Sequence, residues 1–172
     1  MDSQLFGYLN SFANWNKGVD LLILFCASYL PYIIGLGVLI WLWGRRSIIR
    51  SIIFDLAVIA VLARGVFTEI IRYFYDRPRP FEVLDVYQVI DHSAGGSLPS
   101  GHAAFFFAIA AAVFYHDRRL GIIFGGAAVL IGVARVMGGI HYPLDIIVGA
   151  LVGILSAVLV YYGKRFWRAE EK

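Results

Sequence analysis

Three short polar islands interrupt an otherwise apolar chain. They read Arg72-Tyr-Phe-Tyr-Asp-Arg77-Pro-Arg79-Pro80, Pro99-Ser100-Gly101-His102, and Arg135-Val-Met-Gly-Gly-Ile-His141-Tyr-Pro-Leu-Asp145. Their arginines lack a matching set of local acids and so call for an anion. A guanidinium fork fits phosphate oxygens with paired, charge-assisted hydrogen bonds. Ser100-Gly101-His102 opens an apolar run, where the free N–H groups and dipole of a starting helix also favour an anion. Gly101 removes a side chain where backbone must come close to a ligand. His102 and His141 titrate near neutral pH. Asp145 follows His141 by four residues. If a helix begins near Tyr142–Pro143, with proline in its first turn, the carboxylate can fix the imidazole tautomer and stabilise its cation. That spacing favours His141 as a nucleophile and leaves the reverse roles of His102 and His141 open. A metal-ligand reading of His141 and Asp145 is opposed by the neighbouring arginines, which would repel a cation.

The elements that must position these groups follow from composition. The chain has 172 residues, 60% hydrophobic and 16% charged, with a mean hydropathy of +0.74. A helical membrane span needs about 20 mainly apolar residues, so about five spans account for most of the chain. Disordered, disulfide-rich and most soluble architectures are excluded, as is a large extramembrane domain. The single Cys26 carries no compartment information. Spans are expected at about Val19–Trp43, kinked at Pro31, Ile48–Tyr73, Gly101–Tyr115, Leu120–Met137 and Leu144–Tyr162. Before them, Leu5, Phe6, Leu9, Phe12 and Ala13 recur at helical spacing, with Tyr8 and Trp15 suited to an interface. This predicts a short helix lying on the membrane. Residues 1–172 therefore read as one all-α domain, an integral membrane helical bundle. The single long connection, Phe74 to Ser100, contains Phe81–Asp91, whose alternating apolar and acidic residues suggest a small lid or interfacial element.

Charge sets the orientation. Arg45, Arg46, Arg50, Arg118, Arg119, Lys164, Arg165, Arg168 and Lys172 flank one set of span ends, and Lys17, Arg72, Arg77, Arg79 and Arg135 the other. The first set is expected to be cytoplasmic, which places the N-terminus and all three islands outside and the C-terminus inside. Nucleic-acid binding would need a basic stripe on a soluble face, which the chain does not offer. Several charges fall within or beside the second span. Arg64 lies about two turns, roughly 12 Å, below Arg72 and reads as an ion-paired or polar support under the pocket. Glu69, one turn from Arg72, could aim its guanidinium. Arg77 could touch substrate, cap its loop or pair with Asp76. Asp55 could pair with Arg50 or snorkel. His92 and His116 read as loop or interface residues.

The pattern Arg72-x6-Arg79-Pro80, Pro99-Ser100-Gly101-His102, Arg135-x5-His141-x3-Asp145 resembles the three-part signature of the type 2 phosphatidic acid phosphatase superfamily. Arg72 stands where the family generally has Lys, and Ala134 where it often has Ser. The family usually has six spans, against five plus an interfacial helix here. The resemblance implies metal- and cofactor-free hydrolysis of a membrane lipid phosphate. His141 would attack phosphorus to form a phosphohistidine, and Asp145 would orient it. His102 would protonate the leaving oxygen. Arg72, Arg79, Arg135, Ser100 and Gly101 would hold the phosphoryl oxygens. Leu9-Asn-Ser-Phe-Ala13 and Tyr29-Leu-Pro-Tyr-Ile33 further resemble the bacitracin-resistance undecaprenyl-diphosphate phosphatases. Lipid A 1-phosphatase and phosphatidylglycerophosphate phosphatase share the same headgroup chemistry. A non-catalytic lipid-binding or lipid-flipping protein would need only the arginines, and a vanadate haloperoxidase is expected to be soluble.

Overall fold

The structure, a computed structural model, describes residues 1–45 and 49–170. Among them every regular element is helical. Of the charge and span assignments, Arg46, Ile48, Lys172 and the side chain of Arg168 lie outside what is described. A short α1 (Asp2–Asn10) precedes a first long helix built of α2 (Lys17–Leu24), a π-helical stretch at Phe25–Tyr29, and α3 (Leu30–Trp43). The second long helix is α4 (Ile49–Ala60), a π-helical stretch at Val61–Phe67, and α5 (Thr68–Phe74). The short α6 (Pro80–Val83) lies in the long connection, followed by α7 (Gly101–His116), α8 (Arg118–Met137) and α9 (Pro143–Glu170). Four helical stretches, Lys17–Trp43, Ile49–Phe74, Arg118–Met137 and Pro143–Trp167, are long and apolar enough to cross a membrane, and α7 is a shorter apolar helix. The chain is thus an integral membrane helical bundle. Leucines and isoleucines such as Leu22, Leu39, Ile122 and Leu155 are exposed around it, as expected where lipid rather than water is the neighbour.

Local chemistry explains the helix boundaries. Asn16 caps α2 by accepting from the Val19 amide at 3.0 Å. Asp117 ends α7 and caps α8, its Oδ1 accepting from Leu120 N at 3.2 Å. Pro143 opens α9 where no intrahelical N–H is needed. The position where a kink is expected, Pro31, lies just after the π-helical stretch Phe25–Tyr29. Pro31 offers no N–H to the carbonyl of Ala27, and Arg135 Nη1 lies 3.5 Å from that oxygen.

At the centre stands α7, buried along most of its length and packed most extensively on α9 and α8. Close approach comes from glycine. A Cβ on Gly149 would lie 2.6 Å from the Ser100 carbonyl, and one on Gly153 would lie 2.7 Å from Ala108 N. Small residues at such crossings let helix backbones pack tightly in lipid. With 16 residues, α7 spans roughly 24 Å against a hydrocarbon core of about 30 Å, and is shorter than the four helical stretches of membrane length. Its C-terminal end carries Arg45 bonded to Asp117 at 3.1 Å. Asp55 pairs there with Lys164, not with the expected Arg50.

The N-terminal helix α1 lies against α8 and α9. Its buried positions are Phe6 and Asn10, with Ala13 just beyond, while the expected Leu5 is half exposed. Phe6 packs on the Tyr142 ring at 5.4 Å. Asn10 Nδ2 donates to the carbonyls of Tyr87 and Met137 at 2.9 and 2.8 Å, and its Oδ1 accepts from Tyr87 N at 3.2 Å. The segment expected as a lid is therefore helical only at Pro80–Val83, and its remainder is fastened to the end of α8 by Asn10.

Candidate active site

All three islands meet at one end of the bundle. The backbone itself joins them: Ser97 N donates to the Arg77 carbonyl at 2.8 Å, and Ser100 N to the Asp145 carbonyl at 2.9 Å. The turn between α8 and His141 tightens through Gly138 and Gly139. Gly139 has φ +85°, and a Cβ there would meet the Tyr87 carbonyl at 3.0 Å. This conformation and that contact both favour glycine.

His141 is 2% exposed and Asp145 fully buried. The imidazole Nδ1 faces Asp145 Oδ2 at 3.3 Å, so the proton on Nδ1 is directed to the carboxylate. The Nε2 atom faces the guanidinium of Arg79, whose Nη1 lies 3.3 Å away. Arg79 is itself fixed by donation to the Ile140 carbonyl at 3.0 Å. Burial pushes the His141 pKa down to about 4. The Asp145 contact opposes that shift, and the Arg79 and Arg135 charges add to it. His141 is therefore neutral at physiological pH, with Nε2 presenting a lone pair towards the arginines.

Asp145 is tied down by more than His141. Tyr142 N donates to its Oδ2 at 2.8 Å, the Ser97 hydroxyl donates to the same oxygen, and Arg77 Nη1 donates to Oδ1 at 2.9 Å. Ser97 is fully buried, and its Oγ also lies 3.4 Å from His141 Nδ1. Arg77 does not pair with Asp76. Its second arm donates to Asp2 Oδ2 at 2.6 Å, and its guanidinium stacks 3.8 Å over the Tyr142 ring. Burial works against the charge on Arg77, but the bonds and charges of Asp2 and Asp145 outweigh it and hold its pKa above the ordinary value. Asp2 Oδ1 in turn accepts from Leu144 N at 3.0 Å.

Arg72 Nη2 donates to the Pro99 carbonyl at 3.0 Å, and its Nη1 lies 3.6 Å from Glu69. Glu69 also pairs with Arg64. Ser100 is fully buried, its Oγ 3.5 Å from Ala103 N in the first turn of α7. His102, the next residue but one, is exposed and stacks near Phe106 at 6.3 Å. Arg72, Arg79 and Arg135 each bury an Nε without a hydrogen-bond partner among the described residues. Buried donors of this kind are costly unless something accepts from them. Arginine-rich donors, a neutral oriented imidazole and a helix N-terminus thus surround one point, an arrangement suited to a phosphoryl group.

Sequence reasoning missed Ser97, Asp2 and Asn10. Ser97 carried a weak signal, a hydroxyl in the small-residue run Gly95-Gly96-Ser97 just before the second island. Asp2 carried none, since its partners lie 75 and 142 residues away.

Comparison with known proteins identifies the chain's family and relatives of similar fold. The PAP2 superfamily profile matches residues 54–169. A relative from Bacillus subtilis (strain 168), named undecaprenyl-diphosphatase BcrC, is 30% identical over 165 residues, covering 94% of this chain and 83% of that one. A Bacillus licheniformis relative, named bacitracin transport permease protein BcrC, is 30% identical over 158 residues, covering 91% and 77%. The crystal structure of Aquifex aeolicus LpxE superposes with a TM-score of 0.78 at 27% identity, covering 94% of each chain.

Proposed function

The chain belongs to the PAP2 superfamily and is a membrane-embedded phosphatase, and from that premise we propose that it hydrolyses undecaprenyl diphosphate to undecaprenyl phosphate at the extracytoplasmic face. One observation carries the reading: His141 directs Nδ1 to Asp145 and Nε2 to Arg79, beside three arginines with orphaned buried donors. A phosphoryl group placed there would give Arg72, Arg79 and Arg135 their missing acceptors and bring phosphorus up to Nε2.

The steps follow from this placement. The Nε2 lone pair attacks the terminal phosphorus while the Asp145 carboxylate stabilises the positive charge developing on the ring. The arginines, the Ser100 hydroxyl and the Gly101 amide stabilise the equatorial oxygens, a task preorganised charges perform well at a site with little water. The bond to the bridging oxygen breaks, and His102, exposed at the start of α7, protonates the departing group. Water, giving a proton to the now neutral His102, then attacks the phosphohistidine; the Nε2–P bond breaks, phosphate leaves, and both histidines are restored. The asymmetric surroundings of the two histidines support these roles rather than the reverse. His141 has the carboxylate orienter, and His102 stands at the open side, where a leaving group would exit.

The substrate assignment draws on the relative named undecaprenyl-diphosphatase. The face assignment draws on charge: the site lies at the end opposite Arg45 and Lys164, and lysines and arginines accumulate on cytoplasmic ends. A panel of undecaprenyl diphosphate, lipid A, phosphatidylglycerophosphate and phosphatidic acid, compared by rate in one detergent with and without EDTA, tests the substrate. Undecaprenyl diphosphate is expected to be fastest and EDTA to leave its rate unchanged. A faster rate on another lipid overturns the substrate assignment, and activity that needs added zinc or magnesium overturns the arginine-based mechanism.

A further inference from the structure

Arg64 belongs to none of the three islands, yet its side chain reaches the site. A Cβ on Gly101 would lie 2.8 Å from Arg64 Cδ and 2.9 Å from Cζ, so the guanidinium rests on the first residue of α7. The next residue is His102, which lies within reach of the Arg64 charge. The second long helix leaves α-helical geometry at Val61–Phe67, with Arg64 at its middle. Single π-helical turns of this kind recur at functional sites, and an arginine inside a membrane helix is costly unless it serves a ligand or is fully paired. The pairing here is partial. Glu69 is shared by Arg64 and Arg72, one carboxylate between two guanidiniums, and the Arg64 side chain remains 43% exposed.

We propose that Arg64 binds the lipid-side phosphate of a diphosphate substrate and thereby sets a preference for diphosphates over phosphomonoesters. This rests on the reading of the three-arginine site as the seat of the transferred phosphoryl group. When Nε2 of His141 bonds to the terminal phosphorus, the bond from that phosphorus to the bridging oxygen breaks. The bridging oxygen keeps the electron pair, takes a proton from His102, and leaves as part of a lipid monophosphate. The phosphate that leaves must lie on the His102 side, where Arg64 presents its free N–H donors. A monoester places an uncharged alcohol there and gains nothing from the same cation. Because Arg64 reaches up from a deeper turn of the span, it meets the phosphate on the side from which the lipid tail descends into the bilayer.

The test compares farnesyl diphosphate with farnesyl monophosphate as substrates of wild type, Arg64→Gln and Arg64→Lys. The ratio of kcat/KM values on one preparation cancels any loss of folded protein. Arg64→Gln is expected to lower the diphosphate-to-monophosphate ratio by about tenfold, the scale of one charged hydrogen bond. Arg64→Lys, which keeps the charge but not the fork, is expected to lower it by about threefold. Should both variants retain the wild-type ratio, Arg64 is a structural ion pair and the proposal is wrong. A wild-type enzyme that turns over neither prenyl substrate would instead contradict the parent reading of a prenyl-diphosphate phosphatase.

Discussion

His141 is held neutral by its burial and held in orientation by Asp145, and these two facts set how activity should respond to acid. With its pKa at about 4, against an ordinary value near 6.5, the imidazole stays neutral well below neutral pH, as the proposed nucleophile must. The acid limb of kcat/KM, which reports the free enzyme, should therefore have its midpoint well below the usual histidine range. A midpoint near 6.5 would contradict the geometry. The same depression has a stability sign. Between about 6.5 and 4 the unfolded chain binds the proton and the folded one does not, so this group's contribution is complete above 6.5 and is lost as pH falls through that window. Most of the site was legible at this scale because polar residues are scarce in the chain and these stand at span ends. Spacing alone pairs His141 with Asp145, and the resemblance carried by the three islands adds Arg72, Arg79, Arg135 and His102 as candidates. Ser97 could not be named, because a buried serine donating to Asp145 looks in sequence like any serine of a loop. Arg77 was legible as a site residue, but its partners were not: the adjacent Asp76 was an obvious candidate, and the structure joins Arg77 to Asp145 and Asp2 instead.

Among the elements, the N-terminal helix has the clearest unexpected connection. Read as a helix lying on the membrane, α1 also reaches the candidate pair His141 and Asp145 through Asp2 and Arg77. Asp2 offsets part of the charge of Arg77, which leaves more of the Asp145 charge for His141. Asp2→Asn keeps an oxygen for Leu144 N and loses the charge facing Arg77. It should lower kcat by about threefold to tenfold, below the ten- to hundredfold typical of an outer partner in direct contact, with KM and melting temperature nearly unchanged. A variant with wild-type kcat would show that α1 only packs against the bundle. Span positions were legible because apolar runs of membrane length are hard to mistake: each expected span has a helix as its counterpart, though α7 is shorter than membrane length and α9 runs on past Tyr162 to Glu170. The two π-helical stretches were not legible, since a one-residue change of register leaves no mark on an apolar pattern. Proline at 31 signalled only that the first span would bend.

At the scale of the molecule, the bundle brings three segments distant in sequence to one end, where the N-terminus of α7 meets them. Alternate spans return to the same side, so the grouping of the islands could be read from topology before any coordinates. The pairing of Asp55 with Lys164 could not, because it depends on how α4 and α9 pack rather than on neighbours in sequence. A non-catalytic lipid binder would need the arginines but not the oriented histidine, so the account depends above all on covalent chemistry at His141. The most direct measurement is rapid acid-free quenching of the purified chain with substrate carrying radiolabel in its terminal phosphate, in wild type and His141→Ala. Wild type should carry label that is stable to base and lost in acid, as a phosphohistidine is, and His141→Ala should carry none and release phosphate at background rates. Equal phosphate release by the two proteins, or label that persists in His141→Ala, would contradict the account.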